Sequence, residues 1–185
     1  RYVLFTLFIV VPALEIGTFL FLGHAIGVFP TVLLIILTGF LDDMLEITAK
    51  AKVFGQLAAA LIVVLWGGLQ IEFINLPFGG QIEFGFLSIP ITIIWIIGIT
   101  NAINLIDGLD GLAAGVSMIA LISLSIMAVI MGNPFVVATA AILAASSFGF
   151  LFFNFNPAKI FMGDTVSLFL GYMISVLALL GFKNV

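Results

Sequence analysis

Five aspartates fall in three polar stretches of an otherwise oily chain. Asp42 and Asp43 lie in GFLDDMLEITAKAK (39 to 52), Asp107 and Asp110 in NAINLIDGLDGLAAG (101 to 115), and Asp164 in NFNPAKIFMGDTVS (154 to 167). Two carboxylates about 6 Å apart repel by roughly 3 kcal/mol at an effective dielectric of 20. If all five converged with only Lys52 and Lys159 nearby, the repulsion would oppose folding, and a bound divalent cation would relieve it. Carboxylate and amide oxygens suit hard Mg2+, with Mn2+ as the alternative; Mg2+ typically takes one or two carboxylates and leaves positions for substrate phosphates. Zinc fits poorly, because the chain has no cysteine and its one histidine, His24, is far from these stretches. The chemistry expected is therefore metal-assisted handling of a phosphorylated substrate.

Glycines add to this reading. Gly108, Gly111 and Gly115 permit tight turns and close backbone approach, and Gly163 is expected to let a ligand reach the positive end of the last helix. Each piece also has a plainer explanation. Asp42 and Asp43 would serve to cap a turn, Asp164 to N-cap the last helix, and Asn154 and Asn156 to form a turn before Pro157. Phe161 would be an interfacial anchor, the lysines topology signals, and Glu15 and His24 structural. The joint argument is stronger than any single one, because it requires three separate stretches to reach one face.

The elements that must bring them there are membrane helices. With 185 residues, 64% hydrophobic and 8% charged, the chain is too apolar for a soluble domain of this size. Its net charge of -4 comes with no basic patch for a phosphate backbone, which argues against nucleic acid. Without cysteine the redox compartment stays open. Apolar runs at Tyr2–Leu22, Phe29–Leu41, Val53–Leu69, Ile89–Ile103, Leu112–Met131, Phe135–Phe153 and Val166–Phe182 predict an all-α polytopic protein of about seven helices. Pro12 predicts a kink in the first. Parity then places all three acidic stretches on one side. It puts Arg1, Lys50, Lys52 and Lys159 inside and Lys183 outside, as the positive-inside bias requires. Between the third and fourth runs, LQIEFINLPFGGQIEFGFLS (69 to 88) alternates around an Asn-Leu-Pro-Phe-Gly-Gly turn and predicts a short outer-face β-hairpin.

From about Gly39 to Val185 the chain resembles the bacterial polyprenyl-phosphate N-acetylhexosamine-1-phosphate transferases, most closely the teichoic-acid linkage-unit type. The resemblance rests on LDD (41 to 43), KVFGQ (52 to 56), NAINLIDGLDGLAAG (101 to 115) and NFNPAKIFMGD (154 to 164). It implies transfer of N-acetylglucosamine 1-phosphate from UDP-N-acetylglucosamine to undecaprenyl phosphate, with release of UMP, on the cytoplasmic face of the bacterial cytoplasmic membrane. Carried over by motif, Asp164 holds Mg2+ on the diphosphate with Asp107, and Asp42 is the base or orienting group for the lipid phosphate, with Asp43 beside it. Asp107 and Asp110 complete the catalytic set. Asn101, Asn104 and Asn154 contact substrate or support the metal, Phe161 stacks on uracil, and Lys52 neutralises phosphate charge. Membrane lipid is the expected surroundings, and a homodimer is compatible with the resemblance.

Three departures accompany it. Val166 stands where such enzymes usually carry a small residue, which predicts crowding of the diphosphate or a disfavoured backbone angle. The family's histidine-rich loop and its extra N-terminal helices have no counterpart in these residues. Residues 1 to about 39, with VVPALEIG (10 to 17) and GVFPTVLLIILTG (27 to 39), resemble the small FxsA-type bacterial membrane proteins. That predicts an N-terminal hairpin, 1–39, joined near Thr38–Gly39 to a partial transferase domain, 40–185. The competing readings are a catalytically incomplete membrane fragment, a cation or proton transporter, and a CDP-alcohol phosphotransferase. A transporter needs acids at mid-helix depth, where only Glu15 lies; the last needs an arginine soon after Asp-Gly, and Arg1 is the sole arginine.

Overall fold

The computed structural model describes residues 28–75 and 79–182. In chain order these form α1 (Val28–Leu45), α2 (Ala49–Leu65), β1 (Phe73–Asn75), β2 (Gln81–Glu83), a 3-10 turn (Gly85–Leu87), α3 (Ser88–Ile106), α4 (Leu112–Ile130), α5 (Pro134–Asn154) and α6 (Gly163–Phe182). Six helices thus stand among the described residues, and the predicted first span, Tyr2–Leu22, lies outside them. Four described segments are long and apolar enough to cross a membrane: Gly85–Ile106, Leu112–Ile130, Pro134–Asn154 and Gly163–Gly181.

Helix ends follow from local chemistry. Thr48 caps α2, its hydroxyl accepting from the Ala51 N–H at 3.4 Å, and Asn133 caps α5 by accepting from Val136 N–H at 3.2 Å, with Pro134 in the first turn. Glu46 ends α1 in the left-handed region at φ 48, its N–H returning to the Asp42 carbonyl at 2.9 Å. The ends differ from the sequence expectation in one consequential way. Hydropathy stops α1 at Leu41 and starts α6 at Val166, because Asp42, Asp43 and Asp164 look like loop residues. In the structure the backbone stays helical through all three, since their side chains find partners across the bundle.

The core is organised on α6. Of its membrane-length window 61% is buried, against 28% for each of the other three candidate spans, so α6 is the central post among the described helices. It packs on α1 and α3, and also on α4 and α5, while α4 and α5 form an antiparallel hairpin. Two glycines allow the tight approach. A Cβ at Gly39 would come within 2.5 Å of the Thr165 Cα, and one at Gly171 within 2.8 Å of the Thr100 Cα. Interhelical hydrogen bonds add to this, from Tyr172 Oη to Thr31 Oγ1 at 2.5 Å and from Trp95 Nε1 to the Ser175 carbonyl at 3.3 Å. Gly39→Ala is therefore expected to push α1 off α6 and lower stability by about 1–3 kcal/mol, read as thermal unfolding in detergent. An unchanged midpoint would refute the close crossing.

The β-hairpin is present, with register Phe73↔Glu83, Ile74↔Ile82 and Asn75↔Gln81. Directly opposed residues share a face, so Ile74 and Ile82 lie together while Phe73 shares the other face with Glu83. The alternation is real, but the register does not sort apolar from acidic.

Candidate active site

Four helices meet at the polar end of α6. Lys52, on the first turn of α2, points its ammonium between α1 and α6. Its Nζ pairs with Asp42 of α1, reaches Asp164 Oδ1 of α6 at 2.9 Å, and approaches Asn104 Oδ1 of α3 at 3.4 Å. Asn104 Nδ2 donates to Asp164 Oδ1 and to Ser167 Oγ at 2.8 Å. Asp42 is only 8% exposed, so its charge depends on Lys52, whereas Asp164 is half-buried and open on one side. The parity argument for one shared face is thereby met at atomic distances, with the shared charge centre being Lys52.

Asp43 behaves differently from its neighbour. Its carboxylate accepts from the backbone N–H groups of Asp164 at 2.8 Å and Thr165 at 2.9 Å, and from the Thr165 hydroxyl. It is the cap of α6 supplied from α1, satisfying orphan N–H groups and meeting the positive end of the helix. Gly163, at φ 75, makes room: a Cβ there would lie 3.2 Å from an Asp43 oxygen. This corrects two expectations. Asp164 sits inside the first turn rather than at the N-cap, and the helix end that Gly163 was expected to open to a ligand is already occupied by a protein carboxylate.

Asp107 stands at the C-cap of α3, with the Gly163 N–H near its carboxyl. Burial, and then the Asp164 and Asp43 charges, push its carboxyl from the usual 3.8 up to about 6, against the lowering effect of that N–H. A raised carboxyl favours the protonated folded state. Its stabilising contribution is complete below about pH 4 and disappears as pH rises through 6. In chelator, then, Asp107→Asn is expected to unfold at a higher temperature than the unsubstituted chain at pH 7.5, with the gap narrowing as pH falls through 6 and closed at about pH 4. A gap independent of pH would contradict it.

Asp110 and Asn154 bind the loops to one another. Asp110 Oδ2 accepts from Ala158 N–H at 3.0 Å and Asn156 Nδ2 at 3.3 Å. Asn154, 3% exposed, accepts from Gly111 N–H at 3.1 Å and donates to the Ile160 carbonyl at 2.9 Å. Asn101 lies one helical turn below Asn104 and pairs with Gln56. These three sequence candidates thus hydrogen-bond within the chain, Asp110 through Oδ2 and at an exposed position. Phe161, two residues before Gly163, is 79% exposed, and Lys159 is exposed with no ion pair among the described residues. Val166 is an ordinary helical residue packed on the core, so the disfavoured backbone angle expected there does not arise.

Sequence reasoning assigned no role to Gln56, Thr165 or Ser167. Gln56 follows Lys52 by four residues and so shares its helix face, which was the available signal. As to metal, no three His, Asp or Glu side chains among the described residues converge into a cage. Asp107 and Asp164 do feel each other's charge. That donor set fits a hard cation held by one or two carboxylates together with substrate phosphate, and not an all-protein site.

A family model described as glycosyl transferase family 4 matches residues 25–182. Its match begins inside the segment that resembles FxsA-type proteins, and α1 runs unbroken through Thr38–Gly39. A Bacillus subtilis (strain 168) protein described as a probable undecaprenyl-phosphate N-acetylglucosaminyl 1-phosphate transferase is 51% identical over 154 residues, covering 82% of this chain and 43% of that protein. Phospho-N-acetylmuramoyl-pentapeptide-transferases of Clostridium perfringens (strain 13 / Type A) and Listeria monocytogenes serotype 4b (strain CLIP80459) are 40% identical over 152 residues and 34% over 153. Each covers 77% of this chain, and 48% and 47% of the relative respectively. The chain spans about half the length of the curated relatives it matches. Its apolar helices and these bacterial relatives make it a multi-pass protein of the bacterial cytoplasmic membrane.

Proposed function

Since the chain belongs to glycosyl transferase family 4, we propose that it forms the catalytic membrane core of an enzyme that moves N-acetylglucosamine 1-phosphate from UDP-N-acetylglucosamine to undecaprenyl phosphate. A phosphate oxygen of the lipid attacks the sugar-linked phosphorus, the bond from that phosphorus to the bridging oxygen breaks, and UMP departs with that oxygen. The product is undecaprenyl-diphospho-N-acetylglucosamine, suited to building a cell-wall polymer of the teichoic-acid kind. One observation carries the reading: Lys52, Asp42, Asn104 and Asp164 come from four helices to one point at the membrane face.

Phosphoryl transfer needs positioning and charge neutralisation more than covalent help. Mg2+, or Mn2+, held by Asp164 and Asp107 would supply the positive charge that lets an acidic site accept a diphosphate. Lys52 sits where it can turn from Asp42 to a phosphate oxygen without leaving Asp164. Asp42 would then orient the lipid phosphate; removing a proton is a minor task, because that phosphate is already mostly ionised near neutral pH. Asp43 holds the end of α6, and so the Asp164 carboxylate, in place. Phe161 offers its exposed ring to uracil. The positive-inside bias supports a cytoplasmic location for the site, where the nucleotide sugar is available.

The test is product formation by this chain in undecaprenyl-phosphate vesicles with labelled UDP-N-acetylglucosamine. Product is expected with Mg2+ and none with chelator; equal product in both sinks the reading. A second reading, supported by the chain's spanning about half the length of its relatives, is a piece that binds donor without turnover. Saturable, Mg2+-dependent binding of UMP with no product selects it.

A further inference from the structure

We propose that Gln56 and Asn101 form a register clamp that positions Lys52 for sugar-phosphate transfer; the role rests on the transferase reading above. Their amides pair reciprocally, Gln56 Nε2 donating to Asn101 Oδ1 at 3.2 Å and Asn101 Nδ2 to Gln56 Oε1 at 2.5 Å. Asn101 Nδ2 also donates to the Ile97 carbonyl at 2.9 Å, which fixes the direction of the amide. Gln56 is 1% exposed.

The pair is placed where it controls height. Gln56 follows Lys52 by four residues and Asn101 precedes Asn104 by three, so the clamp lies one turn, about 5.4 Å, below the contact between Lys52 and Asn104. The helix that carries Lys52 packs on α1 and α3 and makes little backbone approach to α6, which carries Asp164. The rest of the buried face of α2 is Ala59, Ala60, Val63 and Val64. Small apolar groups of this kind carry no hydrogen bond to α3, and the close approach of Gly55, where a Cβ would collide with Thr38 Oγ1, sets α2 against α1 rather than against α3. A reciprocal amide pair has one register, and a slip leaves the buried Gln56 amide unpaired. Lys52 must meet Asp42 and Asp164 at once from a flexible stem, so it needs its helix held at one height. Gln56 and Asn101 are thus positioning residues acting through Lys52.

The test labels the chain in membrane vesicles with trace acetic anhydride and reads Lys52 by mass spectrometry against Lys50, an exposed lysine on the same helix. In Gln56→Leu the ratio of Lys52 to Lys50 modification is expected to rise about fivefold or more as the amine leaves its carboxylates. Gln56→Met serves if the leucine variant fails to fold. The exchange Gln56→Asn with Asn101→Gln conserves total side-chain length and is expected to restore the ratio. Transfer by Gln56→Leu should lose kcat with KM for the sugar nucleotide retained. A folded variant with an unchanged labelling ratio overturns the clamp, as does an exchange that fails to restore it. The labelling needs no turnover, so an inactive unsubstituted chain refutes the transferase reading without deciding the clamp.

Discussion

Replacing Asp164 by asparagine is expected to cut sugar-phosphate transfer by about 10²–10³-fold, the usual loss when one preorganised charge-stabilising group is removed from a transition state. The substitution keeps the shape of the side chain. Its Oδ1 still accepts from Asn104 and Lys52, and the cap from Asp43 engages only backbone and Thr165 atoms, so α6 should begin at the same residue. What is lost is one negative charge on a half-buried carboxylate that would help to hold a hard cation. The measurement is Mg2+-dependent formation of labelled lipid product, with far-UV circular dichroism to show that the helices persist. Turnover at the unsubstituted rate would remove Asp164 from the chemistry. Asp43→Asn provides the contrast: it acts on the α6 cap, so its loss should fall first in thermal stability and only secondarily in rate.

Lys52→Met is expected to lower stability by about 3 kcal/mol in the absence of divalent cation. Deleting one partner of a buried pair strands the other charge, and the lower end of the range applies because Lys52 is partly exposed. Asp42 is the stranded group, at 8% exposure with its one ion-pair partner among the described residues removed. Adding Asp42→Asn to Lys52→Met removes that charge and should recover most of the stability without recovering transfer. Thermal unfolding in chelator separates the outcomes. If the double variant is no more stable than Lys52→Met alone, the pair is not what holds α1 and α2 at this end of the bundle.

Both results would follow from a site whose location is more legible than its wiring. The motifs around Asp42, Asp107 and Asp164 are recognisable, and helix parity predicts that they share a face, because each crossing reverses the chain. Boundaries were less legible. Hydropathy treats Asp42, Asp43 and Asp164 as the ends of spans, yet all three are helical, since hydrogen bonds across the bundle satisfy groups that the sequence shows as merely polar. The hairpin was legible from its turn and alternation, whereas its register was not.

By itself the amino-acid sequence determined that this is a membrane protein of apolar helices, that its acidic stretches lie at one side, and which residue types are available there for a hard cation and a phosphate. Only the tertiary structure decided that adjacent Asp42 and Asp43 do different work, one pairing with Lys52 and the other capping α6, and that Asp110, Asn154 and Asn101 hydrogen-bond to loops and a neighbouring helix. The reason is geometric. Successive helical residues point about 100° apart, so the partner of each depends on the rotation and depth of its helix. Those are set by contacts between residues distant in the chain, such as Gly39 against Thr165 and Gly171 against Thr100.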